Sequence, residues 1–204
     1  MTASIWRGEL PLVLASQSRA RRMLLDNAGL TCIAVPADID ERAIENDAGL
    51  PTPHEIAEHL ARAKALAVSA QRPGHHVIGA DQTLALGDRL FNKPNGRTQA
   101  MAQLQALAGQ THELHSAVTV VRDGVVLFEH VAVARMSMRP LTEASLSNYL
   151  DEAGEAVTTS VGAYQLEGLG IHLFERIDGD HFTILGLPLL SLLGFLRHAE
   201  LLNI

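Results

Sequence analysis

The alternation of apolar and polar positions divides the chain into short strand-like runs and longer helical ones. Leu12-Val13-Leu14-Ala15 is a continuous apolar run of the length of a buried strand. Ser16-Gln17-Ser18 then supplies N-cap residues. Arg19 to Ala28 carries a helical pattern through Met23, Leu24 and Leu25, with Gly29 placed as its C′ residue. Cys32 to Val35 reads as a second strand, ended by Pro36. The clearest helix is Pro53 to Gln71: Thr52 can cap it, Pro53 suits its first position, and Ile56, Leu60, Ala63 and Ala67 share one side. Val77-Ile78-Gly79-Ala80 predicts another buried strand, ending on Asp81.

The second half continues the pattern. Arg97 to Ala108 is amphipathic through Met101, Leu104 and Leu107 and is stopped by Gly109. Ser116 to Val121, a turn at Asp123-Gly124, and Val125 to Ala134 predict a hairpin rich in β-branched residues. Thr142 caps a helix through Tyr149 and Leu150, with Gly154 near its end. A glycine-rich loop, Gly162 to Gly170, holds one acid, Glu167. Ile171 to Ile177 is expected as a strand, Asp178-Gly179-Asp180 as a turn, and Leu185 to Leu190 as the opening of a terminal helix. Strands alternating with helices imply an α/β protein. No repeat, linker or low-complexity segment divides the chain, so residues 1–204 are expected to form one domain.

Composition narrows the function classes. A chain of 204 residues can bury a real core, and with only 4% aromatic residues that core rests on Leu, Val, Ile and Ala. The net charge of −7 argues against polymeric nucleic acid, which calls for a basic footprint, but leaves room for a small anion held by a local cluster such as Arg19, Arg21 and Arg22. Cys32 is the single cysteine, which suits a reducing compartment, and a cytoplasmic location is expected. Ile184 to Leu196 is too short and too interrupted to span a membrane. The run before Ala15 only faintly imitates a signal peptide, and a first strand is the better reading.

Three stretches carry chemistry. Serines and free N–H groups at a helix start favour an anion, and three arginines in a first turn oppose the helix dipole, which points to a phosphate rather than to local electrostatics. Asp38-Ile39-Asp40-Glu41 is either a solvated acidic turn or part of a hard-cation site. An acid at the end of a strand, Asp81, with Lys93-Pro94 returning after a turn, is placed where open α/β sheets collect ligands. Lys64 lies near the apolar stripe of its helix. His112-Glu113-Leu114-His115 lacks the count and spacing of a zinc site, and neither a P-loop nor a dinucleotide glycine fingerprint is present.

In that order, Leu14-Ala15-Ser16-Gln17-Ser18-Arg19-Ala20-Arg21-Arg22, Asp38-Ile39-Asp40-Glu41, Ala63-Lys64-Ala65, Gly79-Ala80-Asp81-Gln82, Lys93-Pro94, the Gly162–Gly170 loop and Gly186-Leu187-Pro188-Leu189 resemble the Maf family of nucleoside triphosphate pyrophosphatases. The resemblance runs the length of the chain. It implies a long, mixed, twisted sheet with flanking helices, two lobes around a nucleotide-binding cleft, and a homodimer. It also implies hydrolysis of a nucleoside triphosphate to monophosphate and diphosphate with Mg²⁺ or Mn²⁺, a reaction that keeps non-standard nucleotides from incorporation.

By position, the resemblance makes Asp81, Lys64 and Lys93 catalytic and gives the metal to Glu41 and Asp81. Ser16, Arg21 and Arg22 would meet the phosphates. Gln82 and Glu167 match the branch that acts on 7-methyl-GTP, and a carboxylate can accept from guanine N–H groups; Ala20 departs from the tryptophan that this branch carries. Whether Asp81 is a base for water or a metal ligand stays open in the sequence. The competing class is a nucleotide-binding regulator of cell division or septation that binds without hydrolysis. The joint presence of Asp81, Lys64 and Lys93 favours the enzyme.

Overall fold

A computed structural model describes residues 5–47, 49 and 52–204. The elements in chain order are β1 (Leu12–Ala15), α1 (Arg19–Asn27), β2 (Cys32–Ala34), α2 (Glu41–Asp47), α3 (Pro53–Gln71), β3 (Val77–Leu86) and β4 (Arg89–Phe91). They continue with α4 (Arg97–Leu107), β5 (Thr111–Arg122), β6 (Val125–Met138), α5 (Glu143–Ala153), β7 (Phe174–Asp178), α6 (His181–Ile184) and α7 (Leu189–His198). Among the described residues the strands form one mixed sheet of seven, ordered β2-β1-β3-β5-β6-β7, with β4 paired to β3. This is the α/β class expected.

Two compact units share the chain, and β3, β5 and β6 each contribute residues to both. The first comprises Met1–Gln82, Ser116–Ala132 and His181–Ile204; the second comprises Thr83–His115 and Val133–Asp180. In the first unit β1 pairs in parallel with β2 on one side and β3 on the other, ending in the pair Ala15↔Gly79. Chain order therefore reverses direction across β1, which makes its carboxyl end a topological switch point. The alternation of β1 divides its side chains between two layers. Leu12 and Leu14 pack with Leu24 and Leu25 of α1 and Leu192 and Leu196 of α7, while Val13 and Ala15 pack with Val68 of α3.

Local chemistry sets the helix ends. Ser18 Oγ accepts the Arg21 N–H at the start of α1, and Gly29 beyond its end has φ +74°. Thr52 Oγ1 accepts the Glu55 N–H at 3.3 Å and donates to the Glu55 carboxylate at 2.6 Å. The expected turn between β5 and β6 has both Asp123 and Gly124 at positive φ, the conformation a two-residue hairpin loop requires.

The structure revises several expected bounds, the terminal helix among them, which opens at Leu189 and not at Leu185. The strand expected to end on Asp81 runs on to Leu86, because Thr83, Leu84 and Ala85 are as buried as the residues before the acid. The acidic stretch does not stay a turn: Asp40 Oδ1 accepts the Ala43 N–H at 3.0 Å and α2 begins at Glu41. The expected strand Ile171–Ile177 starts late, since a 3₁₀ turn takes Leu169–Leu173 and β7 holds Phe174–Asp178. Strand β4 was not foreseen, having only three residues.

In the second unit a polar contact sits inside an aromatic cluster. His112 is fully buried, its Nε2 is 2.7 Å from the Tyr164 hydroxyl, and the Tyr164 and Phe174 rings meet edge to face at 4.8 Å. Burial lowers the His112 pKa from 6.5 to about 4. As pH falls through that window the unfolded chain takes up a proton that the fold excludes, so stability is lost on acidification and levels off below about 4. The full effect is on the order of 3 kcal/mol. His112→Phe is expected to flatten this part of the profile, measured as the difference in urea-unfolding free energy between about pH 7 and about pH 4.5. A slope equal to that of the wild type would contradict it.

Candidate active site

The site in the first unit begins with a glycine. Odd-numbered residues of β3 in this stretch, Val77, Gly79 and Asp81, face α3, and Gly79 lets the helix come close. A Cβ at that position would lie 2.7 Å from Ala65 N and 2.8 Å from Ala65 Cβ, and closer still to the Ala61 carbonyl. The approach brings Lys64, beside Ala65, onto Asp81. Lys64 Nζ is 2.5 Å from Asp81 Oδ1 and 2.9 Å from Glu41 Oε1. Lys64 and Asp81 are 8% and 7% exposed, whereas Glu41 is open to solvent. Breaking such a buried pair by removing one partner typically costs about 3–5 kcal/mol.

Even-numbered residues face α1 and α7. Arg21 Nη1 donates to the Ala80 carbonyl at 2.8 Å and to Ser16 Oγ at 3.2 Å, and its Nε donates to the Gly186 carbonyl at 2.7 Å. Nη2 makes no hydrogen bond among the described residues, so the guanidinium is held in orientation with one nitrogen left for a ligand. Burial lowers the Arg21 pKa, and the Asp81 and Glu41 carboxylates push it back up. The group stays a cation. Gly186, at φ +88°, lies against it: a Cβ there would be 3.3 Å from Arg21 Nε.

Gln82 follows Asp81 and therefore points the other way. Its Nε2 donates to Ser116 Oγ at 2.8 Å and lies 3.1 Å from both the Thr183 and Ile184 carbonyls, while Ser116 Oγ donates to Thr183 O at 2.7 Å. These acceptors define which end of the amide is nitrogen, leaving Oε1 as an acceptor of fixed direction.

The structure thus brings together Ser16, Glu41, Lys64, Asp81, Arg21 and Gln82 within the first unit. Arg22 is not among them. One helix step from Arg21, it has its side chain 60% exposed, with Nε 3.7 Å from Asp26 Oδ2. Lys93 and Glu167 belong to the second unit, where both are exposed, Lys93 between β4 and α4 and Glu167 in the glycine-rich segment. Reading the sequence missed Ser116, hidden in an apolar strand, and the carbonyls of Ala80 and Gly186, which carry no side-chain signal.

Two carboxylates converging on one cationic atom fit a hard cation. Among the described residues no group of three or more His, Cys, Asp or Glu could hold a metal ion. A Mg²⁺-like ion asks for less: one or two carboxylates, the rest of its shell coming from water and phosphate.

The family model described as Maf-like protein matches residues 11–199. The chain belongs to the Maf family. It is 69% identical over 200 residues to a nucleoside triphosphate pyrophosphatase of Bradyrhizobium diazoefficiens, covering 98% of this chain and 99% of that one. It is 63% identical over 201 residues to a nucleoside triphosphate pyrophosphatase of Rhodopseudomonas palustris, covering 98% and 100%. It is also 56% identical over 189 residues to a 7-methyl-GTP pyrophosphatase of Rhizobium etli, covering 91% and 94%.

The site depends on the contact at Gly79, and the contact can be tested. Gly79→Ala is expected to destabilise the fold by about 1–3 kcal/mol through overpacking, read from the urea midpoint. A variant as stable as the wild type would show that α3 does not need this approach.

Proposed function

We propose that this chain is a metal-dependent nucleoside triphosphate pyrophosphatase that cleaves the α–β phosphoanhydride bond, releasing monophosphate and diphosphate. The observation that carries the reading is Lys64 Nζ bound to both Asp81 and Glu41 beside a fixed Arg21 guanidinium. Two similar chains named nucleoside triphosphate pyrophosphatase support it. The family match spans both compact units, which supports treating residues 1–204 as one working domain.

Phosphoryl chemistry asks mainly for positioning and charge stabilisation. Arg21 Nη2 and Ser16 hold phosphate oxygens at the switch point of the sheet. Lys64 neutralises charge on the transferred group and the leaving diphosphate, Lys93 takes the same role on the strength of the family resemblance alone, and Arg22 adds a solvated cation. Asp81 orients the attacking water and accepts its proton. Asp81 and Glu41 would hold Mg²⁺ or Mn²⁺, which supplies a Lewis acid for the phosphate oxygens.

For the base, Gln82 Oε1 offers an acceptor that suits a guanine N–H group, the family resemblance alone adds the Glu167 carboxylate, and the Rhizobium etli relative is named a 7-methyl-GTP pyrophosphatase. A modified guanine nucleotide, 7-methyl-GTP, is therefore the substrate to try first. Cys32, the single cysteine, is a free thiol, and a reducing cytoplasm is part of the same proposal. A homodimer is part of the same proposal, on the ground of the family resemblance alone.

The test is a panel of 7-methyl-GTP, GTP, dTTP and UTP, assayed for diphosphate release with and without Mn²⁺ or Mg²⁺. Metal-dependent release is expected, fastest with the guanine nucleotides, and Asp81→Asn should lower kcat by about 10²–10⁴-fold. Equal turnover by Asp81→Asn would remove Asp81 from the chemistry. Best activity on dTTP or UTP would overturn the base assignment.

A further inference from the structure

Lys64 occupies an unusual position for a phosphate-binding lysine. Its ammonium is nearly buried and touches the two carboxylates to which the metal has just been assigned. The protein offers no third acid there among the described residues, so one ammonium offsets half of the negative charge available to a divalent ion. An ammonium and a divalent cation repel each other strongly at contact range in a poorly solvated site. We propose that Lys64 is the resident cation of the Asp81–Glu41 pair, and that a divalent ion competes with it for the same carboxylates. Substrate phosphate, by drawing the ammonium away, shifts the balance toward the ion.

Side-chain chemistry supports the exchange. Lysine is a compact point charge on a flexible four-carbon stem, able to swing to a phosphate while its backbone stays in α3. The two carboxylates differ in mobility. Asp81, on the sheet and 10% exposed at its side chain, is fixed, while Glu41, at the start of α2 and 49% exposed, can open. Exchange therefore proceeds from the Glu41 side. By linkage, nucleotide strengthens metal binding and metal strengthens nucleotide binding by the same factor. The metal is expected to enter with the triphosphate and to leave with the product.

This inference rests on the metal reading of Asp81 and Glu41, and Mn²⁺ alone tests it without turnover. The free-ion electron paramagnetic resonance signal gives the affinity in the absence of nucleotide. Lys64→Met is expected to bind Mn²⁺ about tenfold more tightly than the wild type. Lys64→Gln, whose amide keeps a donor to Asp81 without the charge, should behave alike and serves if Lys64→Met does not fold. Mn²⁺ should also raise the melting temperature of the Lys64 variants more than that of the wild type. Equal, Asp81-dependent affinities in wild type and Lys64 variants would overturn the competition alone. Retention of the tighter binding after Asp81→Asn is added to Lys64→Gln would overturn the metal assignment itself.

Discussion

The close approach of α3 to β3 at Gly79 is the constraint on which the site depends. It requires small residues on both sides, and Ala61 and Ala65 supply them on α3. With a larger side chain at Gly79, the helix would have to stand off and Lys64 would lose Asp81. The Arg62 guanidinium reinforces the seating from within the same turn, pairing with both oxygens of Glu129 at 2.6 and 2.5 Å. A packing requirement is thereby converted into an electrostatic one. The helix can sit this close only where its lysine meets a carboxylate, since an unpaired buried ammonium would be strongly unfavourable.

A single strand then divides two tasks between its faces. Asp81 turns toward α3 and the charged cluster; Gln82 turns away, into a net of neutral donors and acceptors with Ser116 and the carbonyls of Thr183 and Ile184. The Ala80 carbonyl accepts from Arg21, so the α1 arginine is anchored to the strand immediately before Asp81. Because β1 stops at Ala15, opposite Gly79, Asp81 and Gln82 lie beyond its carboxyl end, where a parallel sheet opens toward a ligand. Charge handling and amide recognition are kept apart by the two-residue period of a strand.

What was legible in the sequence was mainly local. Thr52 and Pro53, Ser18 and Gly29, and Asp123-Gly124 determine their caps and turn from neighbouring residues, so the signals were sufficient. Asp81 was misread as a strand end because its burial depends on an ammonium 17 residues earlier in the chain. Arg21 and Arg22 look equivalent as letters, and only the angular step of a helix sends one inward and leaves the other solvated. The backbone acceptors that orient Arg21 and Gln82 have no letter at all. Lys93 stands out in the sequence by its return after the strand of Asp81, and Glu167 as the one acid of a glycine-rich loop, but the roles given to both come from the family resemblance.

The charge balance of the first unit's cluster is the physical ground of the proposed metal requirement. Asp81 and Glu41 carry two negative charges, and Lys64 and Arg21 carry two positive ones, so the cluster is close to neutral as a whole. A chain of net charge −7 adds no long-range attraction for a polyphosphate. Affinity for a triphosphate must therefore come from redistributing charge already present and from adding more. Arg21 cannot move far, because three of its hydrogen bonds hold it to Ala80, Ser16 and Gly186. Lys64, on a flexible stem, is the cation free to shift in the proposed exchange, and its departure toward phosphate would expose two carboxylates to each other. In the proposed exchange a divalent ion arriving with the phosphates would cancel that exposure, and the two movements would favour one another for the same electrostatic reason.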